Sequence, residues 1–168
     1  AKGSMVGPFA SVDDLPYAEP CFAPRVGIWE SHGEAVAPSV RDIDNLLFGE
    51  QNSTVGTTSA HRPTDVDALV SLSRAVADTV KEEPLAGWSS DFAKAFKQIP
   101  AAVAQIRYAV IVQWEPGEKK PVFFLSFSQV FGSGNAPLNF SRYAAWSVDV
   151  LGRAFAVPCG QCVDDLMS

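Results

Sequence analysis

An α+β fold of two layers, an antiparallel sheet backed by two helices, is what this sequence predicts, and three observations carry the prediction. Val66, Leu69, Val70, Ser73, Val76, Ala77 and Val80 fall on one face at helical spacing. Two β-branched and aromatic runs, residues 107–114 and 121–127, flank the turn signal Pro116-Gly117 and form a hairpin. Pro137, acceptable in a helix's first turn, opens a second helical stretch. The predicted order is helix, strand, hairpin, helix, strand.

The first 60 or so residues are rich in Gly, Pro, Ser and Thr, and predict loops with one or two short strands. One of these is Val40-Arg-Asp-Ile-Asp44, a short strand leading into a turn. Residues 53–60 are small and polar and read as an exposed loop. Thr64 then opens a helix over 64–82. Its hydroxyl caps the first turn, Asp67 completes a capping box, and Pro84 closes the element. A strand from Leu85 ends at Asp91. Beyond the hairpin, the second helix runs from Pro137 to about Val157, with Leu138, Ala145, Val148, Leu151 and Phe155 as its buried face. Pro158 ends it, and a last strand carries Val163-Asp-Asp165. Trp88, Trp114 and Trp146 are read as core or sheet-face residues.

At 168 residues, with 47% apolar and 19% charged residues, the chain has globular composition and room for a sizeable core. No apolar run approaches the roughly 18 residues that a bilayer span requires, so no membrane association is expected. No basic-then-apolar leader opens the sequence, which predicts an intracellular protein, nuclear or cytoplasmic, rather than a secreted one. The net charge of −6 opposes a phosphate-gripping surface. Local basic clusters, Lys94, Lys97 and Arg107 and then Lys119 and Lys120, offset it. Three cysteines, two of them in Cys159-Gly-Gln-Cys162, suggest free thiols in a reducing compartment.

The chemistry concentrates in carboxylates. Asp91 stands where a strand ends, and Asp164-Asp165 form an adjacent pair between Val163 and Leu166. Side chains alternate faces along a strand, so neighbouring aspartates can share one site only where the backbone turns, at a hairpin tip. Like charges among apolar residues are costly without a neutralising cation. Mg²⁺, or Mn²⁺ in its place, suits hard carboxylate oxygens and leaves positions for water and phosphate. Taken singly, each feature also fits a solvated Asp-Asp at a strand end and an Asp91 that caps a helix.

Their surroundings decide between these. Asp91-Phe-Ala-Lys-Ala-Phe-Lys-Gln-Ile-Pro100 is similar to the first palm motif of reverse transcriptases. Val130-Phe-Gly-Ser-Gly-Asn-Ala-Pro137 resembles the second, and Cys162-Val-Asp-Asp165 the third. The chain departs from those motifs at Val130, where proline is common, and at Cys162, where tyrosine is common. Residues 40–44 resemble the fingers strand whose arginine meets the incoming triphosphate.

The resemblance implies a polymerase palm over 85–168 and a partial fingers region over 1–84 that includes the connecting helix 64–82. It implies an RNA-directed DNA polymerase, a nucleotidyltransferase of retroelement type that adds deoxynucleotides to a primer 3′-hydroxyl. Asp91, Asp164 and Asp165 would be catalytic and bind two metal ions. Phe92 would join the metal-binding set and offer its backbone N–H to phosphate. Arg41, Phe96, Phe131, Gly132 and Pro137 would bind the nucleotide, with Phe96 as an aromatic gate that excludes a 2′-hydroxyl. The partners implied are a template–primer of RNA or DNA, deoxynucleoside triphosphates and the rest of a longer polyprotein. The sequence stops three residues after Asp165, so the returning strand of the catalytic hairpin is expected to lie beyond it. Other readings stay open: a degenerate, non-catalytic remnant that binds nucleic acid, an RNA-dependent RNA polymerase, or a zinc or redox module built on the cysteine pair.

Overall fold

A computed structural model describes residues 3–31, 37–56, 64–81, 84–162 and 165–167. The chain forms two compact units, Ala1–Gly56 with Phe96–Ala136, and Thr57–Ala95 with Pro137–Ser168. Each unit takes residues from both sides of position 84. The fold is α+β.

The first unit is built on a five-stranded sheet. Its strands are β1 (Met5–Phe9), β2 (Phe22–Glu30), β3 (Ser39–Asp44), β5 (Val110–Glu115) and β6 (Lys120–Ser126), in the order β1-β6-β5-β2-β3. The sheet is mixed rather than antiparallel throughout, because β2 runs parallel to β5 while the other pairs are antiparallel. The predicted hairpin is β5–β6, with Val110 opposite Leu125 and Glu115 opposite Lys120. The N-terminal region, expected to be mostly loop, instead supplies three of the five strands. β2 holds Pro24 and Gly27, residues that ordinarily argue against a strand. It forms because Val26, Ile28 and Trp29 pair along β3.

Both faces of this sheet are covered. Val110, Phe123 and Leu125 pack with Leu15 and Ile106 on one face, and Ile111 packs with Ala23, Leu46 and Val130 on the other. Burial on both faces explains why β5 and β6 read as unbroken apolar runs rather than alternating ones.

The second unit holds α1 (Val66–Val80), β4 (Ser89–Asp91), α2 (Ala136–Phe155, its first residue belonging to the other unit), β7 (Gly160–Cys162) and β8 (Asp165–Met167). Its three strands form an antiparallel sheet in the order β4-β8-β7. The cap of α1 is Asp65, whose carboxylate accepts from the Ala68 N–H at 2.7 Å, and not Thr64. Thr64 serves β7 instead: its N–H donates to the Gln161 carbonyl and its hydroxyl accepts from the Gln161 N–H.

The apolar face of α1 is only partly covered. Val66 is 72% exposed, whereas Leu69, Leu72 and Val76 line a cleft of about 260 Å³ with Leu85, Pro158 and Met167. In α2 the buried stripe is Phe140, Ser141 and Ala144, one step round from the predicted face. Ala145 and Phe155 of that predicted face are exposed. Apolar residues surround most of this helix, so its period admits either stripe, and contacts with Phe92 and Gln161 select one. Of the tryptophans read as core or sheet-face, all three are exposed, and Trp114 lies on the sheet in β5. No helix among the described residues is long and apolar enough to cross a membrane.

Candidate active site

β4 and β8 bring together two motifs that lie far apart in sequence. Asp91 is directly opposite Asp165, Ser90 opposite Leu166 and Ser89 opposite Met167. On the other side of β8, Cys162 is opposite Asp165. Asp91, Asp165 and Cys162 therefore share one register row across three strands, and Asp91, the last residue of β4, is exposed. Asp164 lies outside the described residues. β8 runs back antiparallel along β7, although a returning strand is expected only beyond the end of the sequence. Three residues suffice because β8 is central, paired on both edges.

The aspartate strand is held from the helix side. The ring of Phe92 packs edge-on against Phe140 at 5.2 Å and Tyr143 at 5.7 Å between centroids. Phe140 is fully buried. Such aromatic pairs contribute about 0.5–1.5 kcal/mol beyond area burial, which fixes the residue after Asp91 to α2. On β7, buried Gln161 donates its amide N–H groups to the Ser141 carbonyl and hydroxyl at 3.3 and 3.2 Å. A Cβ at Gly160 would come within 2.8 Å of Leu69 and Thr64 side-chain carbons, so one of those side chains would have to shift. Pro137 occupies the first turn of α2 and is exposed.

Four residues assigned to nucleotide binding, Arg41, Phe96, Phe131 and Gly132, belong to the first unit. They converge from three distant segments. The Arg41 guanidinium lies 5.9 Å from the Phe131 ring centroid, and Phe131 lies 5.7 Å from Phe96. Arg41 also pairs with Glu30, Nε to Oε1, at 2.7 Å. The loop after Val130 is fixed to β3 and to the turn at 51–54. The Asp44 N–H donates to the Phe131 carbonyl, and Asn52 brackets the loop by donating to the Gly132 carbonyl and accepting from the Gly134 N–H, both at 2.9 Å. Asn52→Ala is expected to cost about 1 kcal/mol, and to speed hydrogen exchange at the Gly134 amide while leaving amides of β5 unchanged.

Asn52, Glu30 and Gln161 were not singled out from the sequence. Asn52 borders a small polar stretch that reads as loop, and Glu30 ends a strand disguised by proline and glycine. Neither carries a local signal.

Burial pushes the Cys159 thiol up from its ordinary pKa, whereas redox thiols are held low. A zinc site on the cysteine pair would need further ligands, for which the sequence offers Cys21, His32 and His61; His32 and His61 lie outside the described residues. Among the described residues no group of three His, Cys, Asp or Glu could hold a metal ion. Compared with known proteins, the chain matches no family model, and no curated protein matches its sequence.

Proposed function

We propose that this chain carries the metal-binding and nucleotide-facing parts of an RNA-directed DNA polymerase. One observation supports the reading above the others: Asp91 stands directly opposite Asp165 in the β4–β8 register. Two unrelated aspartates at strand ends have no reason to meet, whereas a two-metal nucleotidyl transfer needs carboxylates from separate strands in one place.

The donors at this row fit the metal. Asp91 and Asp165 carry hard carboxylate oxygens, the preference of Mg²⁺ and Mn²⁺, and Asp164, next to Asp165 in sequence, would add a third carboxylate. Two such ions would ease attack by a primer 3′-hydroxyl and neutralise charge on the departing pyrophosphate. The rest falls to the chain's own residues. Asp91 and Asp164 would hold the ions, with Asp165 in support. Packing of Phe92 on α2 fixes Asp91 in place, so that little reorganisation is needed when substrate arrives. Phe96, backed by Phe131, would present a ring edge to the sugar and admit a 2′-deoxy substrate in preference to a 2′-hydroxyl. Arg41 would take the triphosphate with its planar fork of donors.

The test is primer extension by the full chain on an RNA template with a DNA primer, beside Mn²⁺ binding by calorimetry. Asp91→Asn is expected to cut incorporation by on the order of 100- to 1,000-fold and to weaken Mn²⁺ binding at least about tenfold. Absence of incorporation, together with Mn²⁺ binding that Asp91→Asn leaves unchanged, would replace this reading with the non-catalytic remnant.

A further inference from the structure

Arg41, the residue proposed to take the triphosphate, carries an ion pair of its own. Arg41 is in β3 opposite Ile28, and Glu30 ends β2 two positions further along, so the pair is a cross-strand diagonal. The carboxylate sits 2.7 Å from Nε, while the guanidinium lies over Phe131. The arginine side chain is about half exposed and that of Glu30 is mostly buried.

We propose that Glu30 is a positioning residue that sets how strongly Arg41 takes a polyphosphate. Its oxygen holds the guanidinium over Phe131, which helps binding. Its charge cancels that of Arg41 and repels an arriving anion, which opposes binding. The inference rests on the assignment of Arg41 to the triphosphate and deepens it by naming a brake on the same contact. An anion that engages Arg41 must share the cation with Glu30 or displace it. The two effects of Glu30 are separable. Glutamine at position 30 keeps an acceptor for Nε and loses the charge, and alanine loses both.

Inorganic tripolyphosphate titrated into the full chain at low ionic strength tests this. Glu30→Gln is expected to bind about five- to tenfold more tightly than the unmodified chain, from removal of one unit charge about 3–4 Å from the site in high dielectric. The gain should shrink at 0.5 M salt, where screening is strong. Glu30→Ala should gain less than Glu30→Gln, since the arginine is released from Phe131, and Arg41→Gln should lose binding. A parallel titration with a deoxynucleoside triphosphate separates a nucleotide ligand, which binds more tightly, from a free polyphosphate, which binds equally. If Arg41→Gln loses binding and neither Glu30 variant gains, Glu30 is no brake, although the Arg41 contact stands. If Arg41→Gln binds as the unmodified chain does, or if no variant binds at all, the Arg41 assignment fails and the inference falls with it.

Discussion

Replacing Gly132 with alanine is expected to destabilise the five-stranded unit by on the order of 4–5 kcal/mol. Two causes add. The residue has φ +110°, where side chains other than hydrogen are strained. A Cβ built there would lie 2.1 Å from the Asp44 carbonyl oxygen, a backbone atom that cannot rotate away. Either the loop or the end of β3 must move, and both carry further bonds: the Asp44 N–H to Phe131, and Asn52 to Gly132 and Gly134. An apparent melting temperature lower by about 10–15 °C is the expected reading for a chain of this length. Because Phe131 sits under Arg41, tripolyphosphate binding should fall with it. An unchanged melting temperature would show that β3 yields easily and that the close approach is incidental.

The second large effect concerns the ion pair beneath the same strand end. Arg25 donates to both carboxylate oxygens of Asp44, at 2.8 and 3.2 Å, and the Asp44 side chain is nearly inaccessible. Removing one member of such a pair strands the other charge in a poorly solvated place, at a cost of about 3–5 kcal/mol. Asp44→Ala should fall near the lower end of that range. Asp42 already stands 4.0 Å from Arg25 and, being well exposed, can turn toward the orphaned guanidinium. The double replacement Arg25→Met with Asp44→Leu should recover most of the loss, since an apolar pair of similar volume removes the desolvation penalty. Chemical denaturation of the two single variants and the double variant checks this. A double variant as unstable as Asp44→Ala would mean that the strand end depends on the carboxylate's hydrogen bonds rather than on charge balance.

The parts of the fold legible in the sequence were those that signal locally. The β5–β6 hairpin shows as two apolar runs about a Pro-Gly turn, and both helices show as apolar repeats closed by prolines. β2 was not legible. Its pairing with β5 is parallel and joins residues 22–24 to 110–112, and no window of sequence contains both. The α1 cap was misplaced by one residue because Thr64 and Asp65 are equally good caps in isolation. What decides is that β7 occupies the Thr64 hydroxyl, a tertiary fact.

The candidate site divides in the same way. The aspartates stand out through the resemblance of their segments to palm motifs, and the register that sets Asp91 opposite Asp165 is a pairing no local window contains. Glu30 and Asn52 act through partners 11 and roughly 80 residues away, respectively, and carry no mark of their own. The single long aromatic row on α2, in which Tyr143 leads on to the exposed Trp146, was likewise hidden among other apolar residues.

The placement of β1 on β6 bears on the order in which the chain can fold. Met5 pairs with Ser126 and Phe9 with Phe123. During synthesis β1 must therefore wait until residues 120–126 have been made before its neighbour exists. Until then its amide edge is open to pairing with other chains. Contacts of such long sequence separation slow folding, because loop closure precedes the stabilisation it permits. Val6 and Phe9 meanwhile offer a short apolar strand to any exposed edge nearby. Aggregation during synthesis should thus begin at β1, and a covalently joined copy of that strand placed just after the sheet would find its partner sooner than the native order allows.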